Sequence, residues 1–388
     1  NASSFGVAVA VEGALTLRNS GRIEGDVKAG LSANIFIAGS LHGDILLGSV
    51  NDTVRVSGVV MGDIVLGDGR GAFYQTGGRV MGCIYGGKDD DQYYVDRSNT
   101  VISDTTGGQD TVFAKVSFQL TTGIENLTLS GALPMTGMGN SGANVIVGSG
   151  GDDVLWGLGG NDALGGGEGN NRLLGGAGFD TLRGGEGRDR IDGGAGADVV
   201  YMGYGDDTLL GAAGNDMLRF DELSGLLGVS VDLTTNKAVF EDQGDGLSFS
   251  GFEDLFGSVY ADALTGSAVA NTLAGGGGAD TLSGGDGADV LIGGTGADIL
   301  VGGAGNDSLT GGGDADVFVF NVVSGTDHVT DFVHRIDHIQ LSTAVMGLGS
   351  AGTLSADAFY AGSAAHDATD RIIYKQSTGV LFYDSDGT

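Results

Sequence analysis

A nine-residue repeat runs without insertion through residues 139–219, and it limits the folds open to the whole chain. The nine units are GNSGANVIV, GSGGDDVLW, GLGGNDALG, GGEGNNRLL, GGAGFDTLR, GGEGRDRID, GGAGADVVY, MGYGDDTLL and GAAGNDMLR. Glycine crowds positions one to four, Asp or Asn holds position six, and an aliphatic residue holds position eight. A three-residue strand centred on position eight points that side chain inward, while the glycines permit sharp turns. Two units therefore predict one turn of a parallel solenoid, and successive turns stack about 4.8 Å apart.

Stacking brings the residue at position six of one unit above its counterpart two units later. One row is Asn144, Asp162, Asp180, Asp198, Asp216, and the other is Asp153, Asn171, Asp189, Asp207. Carboxylates about 4.8 Å apart repel by about 3.5 kcal/mol at an effective dielectric near 20. A divalent cation between the turns would make the net electrostatic interaction attractive. Calcium accepts about six to eight oxygens in irregular geometry, so it suits Asp side chains and loop carbonyls better than magnesium does.

Residues 257–319 contain seven more units of the same repeat. Their rows are Asp262, Asp280, Asp298, Asp316 and Asn271, Asp289, Asp307. Neighbouring Asp–Asp pairs in the two blocks number eight, so we expect about eight or more calcium ions. Sites that contain Asn have lost a charge, and we expect them to bind more weakly. The predicted metal ligands are Asp153, Asp162, Asn171, Asp180, Asp189, Asp198, Asp207, Asp216, Asp262, Asp280, Asp289, Asp298, Asp307 and Asp316.

These units resemble the repeats-in-toxin (RTX) family. The resemblance implies calcium-loaded parallel β-rolls in a protein exported by type I secretion. The expected fold is all-β: a right-handed parallel β-solenoid or β-roll with calcium-binding nonapeptide repeats and a small C-terminal β cap. A disordered Gly/Asp-rich linker is the competing interpretation. It is disfavoured because a linker would not hold a hydrophobic residue at every ninth position through 139–219.

The other segments predict further β structure. Residues 1–97 carry a looser repeat, whose Gly-Asp or Gly-Cys pairs begin at Gly25, Gly43, Gly62 and Gly82 at intervals of 18 to 20 residues. This spacing predicts an irregular β-solenoid, although short hairpins could replace some strands. Asp52 and Asp91 lie near the expected ligand position, whereas Gly71 occupies another such position, so we expect this part to be mostly metal-free. Residues 98–138 resemble a β linker that precedes RTX blocks.

Two segments depart from the nonapeptide register. Residues 220–256 interrupt the roll, and VSVDLTTNKAVF predicts a hairpin or insertion. The two RTX β-rolls are therefore expected at 139–219 and 257–319. Residues 320–388 have more aromatics and fewer glycines, and we expect them to form a short antiparallel cap over the last turn. This last segment contains His334, Asp337 and His338 in an H-x-x-D-H pattern. The pattern resembles an inverted zinc-protease motif but lacks its Glu and its helix, so a solvated loop is the favoured interpretation.

Composition narrows the function. Acidic residues outnumber basic ones 50 to 18 for a net charge of −32, which argues against nucleic-acid or anionic-membrane partners. The single Cys83 excludes an intramolecular disulfide, so an exported chain would depend on metal for stability. No run of 18 apolar residues predicts a transmembrane segment, and the chain opens with Asn and shows no signal peptide. We expect a processed or partial product located outside the cell or at its surface.

Two function classes remain. The first is a calcium-binding structural protein of the cell surface, such as a surface layer, filament, matrix component or adhesin, with self-association or a matrix component as partner. We do not expect an enzyme, because solenoid repeats leave no stretch of about 150 residues for a catalytic domain. The alternative is the carboxyl-terminal export and folding module of a secreted hydrolase or epimerase whose catalytic domain is absent. The length of the natural polypeptide upstream of Asn1 would separate the two.

Overall fold

The computed structural model describes residues 7–104, 107–222, 228–240, 247–322, 324–342, 359–360, 372–375 and 380–383. The regular secondary structure in these residues is all β-strand, and the expectation of an all-β parallel solenoid is confirmed. The described part of the chain holds no helix whose length and hydropathy would let it traverse a bilayer. Two compact units divide the chain: residues 1–216 with 246–251, and residues 217–245 with 252–388.

The first unit begins with three short strands per turn. These strands are β1 (Val7–Val11), β2 (Leu15–Asn19), β3 (Arg22–Glu24), β4 (Asp26–Ala29), β5 (Ala33–Ile37), β6 (Ser40–His42), β7 (Ile45–Leu46), β8 (Thr53–Val56), β9 (Val59–Val60), β10 (Ile64–Val65), β11 (Ala72–Gln75), β12 (Arg79–Val80), β13 (Cys83–Tyr85), β14 (Gln92–Val95) and β15 (Val101–Ser103). One sheet is β1-β4-β7-β10-β13-β15, a second contains β2-β5-β8-β11-β14, and a third is β3-β6-β9-β12. The pairings among these strands are parallel, so the described residues contain none of the hairpins considered for this region.

Alternation along the second sheet separates a core column from a surface column. Ile35, Val54, Phe73 and Tyr93 pair in register through β5, β8, β11 and β14, and all four are fully buried. The residues that follow them point outward instead. On this outer face, the rings of Tyr74 and Tyr94 stack with centroids 4.5 Å apart, and Phe113 continues the stack at 4.6 Å. The early turns are thus held by side-chain packing on both faces of one sheet.

Further along the first unit, each turn has two strands. They are β16 (Thr111–Ala114), β17 (Phe118–Gln119), β18 (Asn126–Leu129), β19 (Thr136–Met138), β20 (Val145–Val147), β21 (Val154–Gly159), β22 (Ala163–Gly167), β23 (Arg172–Ala177), β24 (Thr181–Gly185), β25 (Arg190–Ala195), β26 (Val199–Tyr201), β27 (Thr208–Ala213) and, later in the chain, β31 (Ser248–Ser250). Pairing among these strands is parallel, and within the nonapeptide block it advances by 18 residues per turn, as in Leu155 to Leu173 and Leu164 to Leu182. The position-eight side chains are at most 2% exposed, so the inward orientation predicted from the period is confirmed.

The strands of the repeat blocks are longer than the three residues expected. Many span five or six residues, because the glycines that open the next unit continue the parallel ladder. Gly176, for example, pairs with Leu158 on one side and Gly194 on the other. A side chain at Gly176 would collide with the Leu158 carbonyl oxygen, and its φ of 115° also favours glycine. The glycines therefore serve as tightly stacked strand residues as well as turn residues.

The second unit repeats the two-strand turn. Its strands are β28 (Met217–Arg219), β29 (Val229–Asp232), β30 (Lys237–Phe240), β32 (Asp254–Phe256), β33 (Ala263–Thr265), β34 (Thr272–Gly277), β35 (Thr281–Asp286), β36 (Val290–Thr295), β37 (Ile299–Ala304), β38 (Ser308–Gly313), β39 (Val317–Phe320), β40 (His328–Val329), β41 (His338–Leu341), β42 (Phe359–Tyr360), β43 (Ile372–Lys375) and β44 (Val380–Tyr383). Strands β29 and β30 form an antiparallel hairpin, and β29 also pairs in parallel with β33. Parallel pairing continues past residue 319, since β40 joins β38 and β41 joins β39. Near the end of the chain, β43 pairs in parallel with β42 and antiparallel with β44.

Candidate metal centres

The position-six side chains of both repeat blocks are buried. None of the fourteen residues predicted as ligands exposes more than 4% of its surface. A buried carboxylate is stable only when it is hydrogen-bonded, paired with a cation or protonated. The partners of these carboxylates therefore decide what the loops can bind.

One oxygen of each Asp is satisfied by the backbone of the preceding turn. The N–H of Asp162 donates to Asp180 Oδ1 at 2.8 Å, and the N–H of Asp180 donates to Asp198 Oδ1 at 2.8 Å. The same bond across 18 residues recurs in the second unit, as from Asp280 to Asp298 at 2.8 Å. The sequence does not show this bond directly, although the 18-residue spacing of the acids is its visible signal. The hydrogen bond offsets part of the repulsion between stacked carboxylates and fixes the direction of the second oxygen.

In eight of these Asp residues the second oxygen has no such partner, whereas Asp153 Oδ2 and Asp262 Oδ2 accept the N–H groups of Ser149 and Ser258 at 2.5 Å. Among the described residues, no hydrogen bond reaches the buried Oδ2 atom of Asp162, Asp180, Asp189, Asp198, Asp280, Asp289, Asp298 or Asp307. In each case Oδ2 lies over the glycine at position one of its own unit. A Cβ at Gly193 would be 2.5 Å from Asp198 Oδ2 and 2.8 Å from the carbonyl oxygen of Gly211, one turn later. The space kept open by the glycine is therefore faced by acceptor oxygens from two turns.

The electrostatics of these loops confirm that charge is poorly compensated. Burial raises the pKa of Asp162, Asp189, Asp289 and Asp298 to about 6, and that of Asp280 to about 7. The backbone hydrogen bond opposes this rise but does not cancel it. Desolvation disfavours the ionised form of each carboxyl, so an adjacent cation would stabilise the loop strongly.

The Asn positions are built differently. Asn171 accepts a bond from the N–H of Asp153 through Oδ1 at 3.0 Å, as an Asp would. Its Nδ2 donates to the carbonyl oxygens of Glu168 and Gly169 at 3.3 Å and of Gly184 at 3.5 Å. The amide group thus supplies donors where an acidic site has only acceptors. This geometry supports weaker metal binding at Asn171, which stays a prediction.

The rows of acids extend beyond the nonapeptide blocks. The N–H of Asp307 donates to Asp327 Oδ1 at 3.1 Å, and the N–H of Asp316 donates to Asp337 Oδ1 at 3.1 Å. The steps are 20 and 21 residues, so counting by nines could not find these two residues. Asp337 also accepts a bond from the N–H of Val333 at 2.6 Å. Asp337, the acid of the H-x-x-D-H pattern, is therefore a member of the acidic row.

The comparisons with known proteins agree with this geometry. The family described as "RTX calcium-binding nonapeptide repeat (4 copies)" matches residues 138–173, 165–200, 195–218, 256–291, 265–300 and 292–321. A comparison with curated proteins finds no match. RTX nonapeptide repeats bind calcium, and loops that present only buried oxygen acceptors to a side-chain-free space fit a hard cation. The chain therefore carries RTX calcium-binding nonapeptide repeats in residues 138–218 and 256–321, folded as a parallel β-roll.

Proposed function

We propose that this chain is a secreted calcium-binding structural protein of the cell surface that folds when it binds calcium outside the cell. The observation that carries the proposal is the buried, unpartnered Oδ2 atom that recurs over the position-one glycine from turn to turn. A structure that repeats this feature needs cations along its length. RTX repeat proteins are typically secreted, which supports a location where calcium is abundant.

The ligands that we assign are the position-six side chains together with the carbonyl oxygens of position-one glycines. The side chains are Asp153, Asp162, Asn171, Asp180, Asp189, Asp198, Asp207, Asp216, Asp262, Asp280, Asp289, Asp298, Asp307 and Asp316. Bound calcium would supply the positive charge that the loops lack. We propose about eight or more ions, and we add Asp327 and Asp337 as acids that extend the rows.

The same charges explain how folding can depend on location. At low calcium, the buried carboxylates of neighbouring turns have no counter-charge, which favours the unfolded chain that a secretion channel can thread. At millimolar calcium, binding to the folded state alone stabilises it by mass action, by about 2.7 kcal/mol for each independent site at a concentration 100 times its Kd. Several such sites add to the burial of the position-eight side chains, and together these terms offset the entropy of ordering short, glycine-rich strands.

A calcium titration of the full chain tests this proposal. Far-ultraviolet circular dichroism in excess chelator should show loss of the β signal over at least residues 139–319, and calcium should restore it. Magnesium at the same concentration is the matched control, because its stricter octahedral geometry suits these loops poorly. An unchanged spectrum in chelator would contradict the proposal.

A structural role is favoured over an export module by the extent of the repeats. Solenoid strands occupy both units, and outside the two matched blocks they continue as β1–β15 and as β40–β41. A structural protein of the surface should self-associate in calcium, which electron microscopy and light scattering of the calcium form would show. A calcium form that stays monomeric would favour the alternative, a folding module of a secreted hydrolase or epimerase.

A further inference from the structure

A group of three buried acids lies outside the matched repeats. Asp91 and Asp110 each come directly before a strand of the second sheet, and Asp104 comes directly after β15. One carboxylate oxygen from each lies within 4.8 Å of the other two. The three side chains are at most 2% exposed. Among the described residues, this is the one group of three or more His, Cys, Asp or Glu with ligand atoms this close together.

Two carboxylate oxygens in this group are unpartnered and point into the same region. Asp91 Oδ1 accepts the N–H of Gly71 at 2.6 Å, and Asp110 Oδ1 accepts the N–H of Asp91 at 2.7 Å. The remaining Oδ2 atoms of Asp91 and Asp110 are buried, and no hydrogen bond reaches them. The backbone bonds therefore hold two acids in place while leaving one oxygen of each available to a ligand.

A glycine keeps the space beside these oxygens open. Gly86 follows β13, and the register of β13 with β15 places it next to Asp104. A Cβ at Gly86 would collide with Asp104 Oδ2, Asp91 Oδ2 and the hydroxyl oxygen of Tyr93. Tyr93 is fully buried and donates its hydroxyl hydrogen to Asp104 Oδ2 at 3.1 Å. Four oxygen-bearing groups therefore surround one small buried volume. They are the carboxylates of Asp91, Asp104 and Asp110 and the hydroxyl of Tyr93.

The nearby basic residues pair with other acids. Lys88 Nζ lies 2.5 Å from Asp68, and Arg70 lies 2.9 Å from Asp90, both at exposed positions. Burial, with a smaller contribution from the charge of Asp104, raises the pKa of Asp91 to about 7 and that of Asp110 to about 8. Three carboxyls in one buried volume are stable only if they are protonated or if a cation joins them.

We propose that Asp91, Asp104 and Asp110 form an additional site for a hard divalent cation, with calcium as its occupant. The donor set is all oxygen, which favours hard cations over zinc and copper, whose common ligands are nitrogen and sulfur. Oxygens separated by up to 4.8 Å fit across a calcium ion, because calcium–oxygen distances are about 2.3–2.6 Å. The site would fasten the three-strand turns to the two-strand turns of the same unit, in a region whose sequence predicts little metal.

The first test counts calcium bound to the full chain by equilibrium dialysis and metal analysis. Asp104→Asn keeps the size of the side chain and removes a charge, so it should bind one calcium fewer than the parent. Asp68→Asn is the matched control, because it removes the same charge from an exposed acid nearby that pairs with Lys88 Nζ. Asp68→Asn should keep the parent count. An Asp104→Asn chain that binds as much calcium as the parent overturns the proposal.

The second test reports on the site without removing a carboxylate, so it also decides the case if Asp104→Asn fails to fold. Terbium replaces calcium in oxygen sites and emits when a neighbouring tyrosine is excited. Tyr93→Phe should remove a component of this emission. Tyr94→Phe, which changes an outward ring of the stack with Tyr74 and Phe113, should not. Equal emission from the two variants would refute the site, while the calcium-dependent folding of the repeat blocks would stand unaffected.

Discussion

Replacing Asn171 by Asp should make the stability of one loop depend on bound calcium. In the present chain, the amide Nδ2 donates to the carbonyl oxygens of Glu168, Gly169 and Gly184, so the loop is satisfied without metal. An Asp at this position would keep the bond from the N–H of Asp153, because Oδ1 remains an acceptor. It would also place a second carboxylate oxygen among the carbonyls. The variant should therefore resemble the loops of Asp180 and Asp198.

The expected magnitudes have opposite signs in the two states. Without calcium, the variant loses three donor contacts and buries an unsatisfied acceptor, which costs about 1–3 kcal/mol and more when the group is charged. With calcium at 100 times the Kd of the new site, binding contributes about 2.7 kcal/mol. The Asn171→Asp chain should thus be less stable than the parent in chelator and at least as stable in calcium. It should also bind about one additional ion.

Urea unfolding at a series of calcium concentrations measures this change. The free energy of unfolding should rise more steeply with the logarithm of calcium concentration in Asn171→Asp than in the parent, by the equivalent of one ion. Asn170→Asp is the matched control, since it adds the same charge at an exposed neighbour whose Oδ1 accepts the N–H of Arg188. An unchanged slope in Asn171→Asp, or an equal increase in both variants, would refute the reasoning.

Three further perturbations probe the same architecture. In the metal-free protein, the raised pKa values of Asp162 and Asp280 stabilise the folded state at low pH. This stabilisation is fully present below about pH 4 and is lost as the pH rises through about 6 to 7, so the β signal in chelator should increase on acidification. Circular dichroism in chelator that is equally β-rich at pH 8 and pH 5 would contradict this. Gly176→Ala should lower the free energy of unfolding in calcium by several kcal/mol because its methyl group meets the Leu158 carbonyl, whereas Gly165→Ala, which has open space, should change it by less than about 1 kcal/mol. Leu182→Ala should cost about 2–5 kcal/mol in the same urea assay, because this side chain is fully buried between neighbouring turns, and a loss below about 1 kcal/mol would argue against a packed interior.

Much of the repeat fold could be predicted from the sequence, because its information is periodic. An aliphatic residue at every ninth position requires that one side chain per unit points inward, and residues such as Leu155 and Leu173 are indeed fully buried and paired. The RTX resemblance rests on the same period, and the family match confirms it. The assignment of individual calcium ligands stays a prediction. The structure adds the hydrogen bond that each turn donates to Oδ1 of the next turn, which offsets part of the repulsion between stacked carboxylates.

The order of glycine, acid and aliphatic residue by itself determined that the turns of each block stack in parallel and that their acids form rows. An unbroken period leaves only one register in which every position-eight hydrophobic residue is buried. The tertiary structure alone decided which acids meet where the period fails. Asp91, Asp104 and Asp110 are 13 and 6 residues apart in the chain, and only the pairing of β13 with β15 and of β14 with β16 brings them together. Asp327 and Asp337 join their rows across loops of irregular length for the same reason. Where loop length varies, strand register is set by side-chain packing and hydrogen bonding between turns, and these interactions exist only in the folded chain.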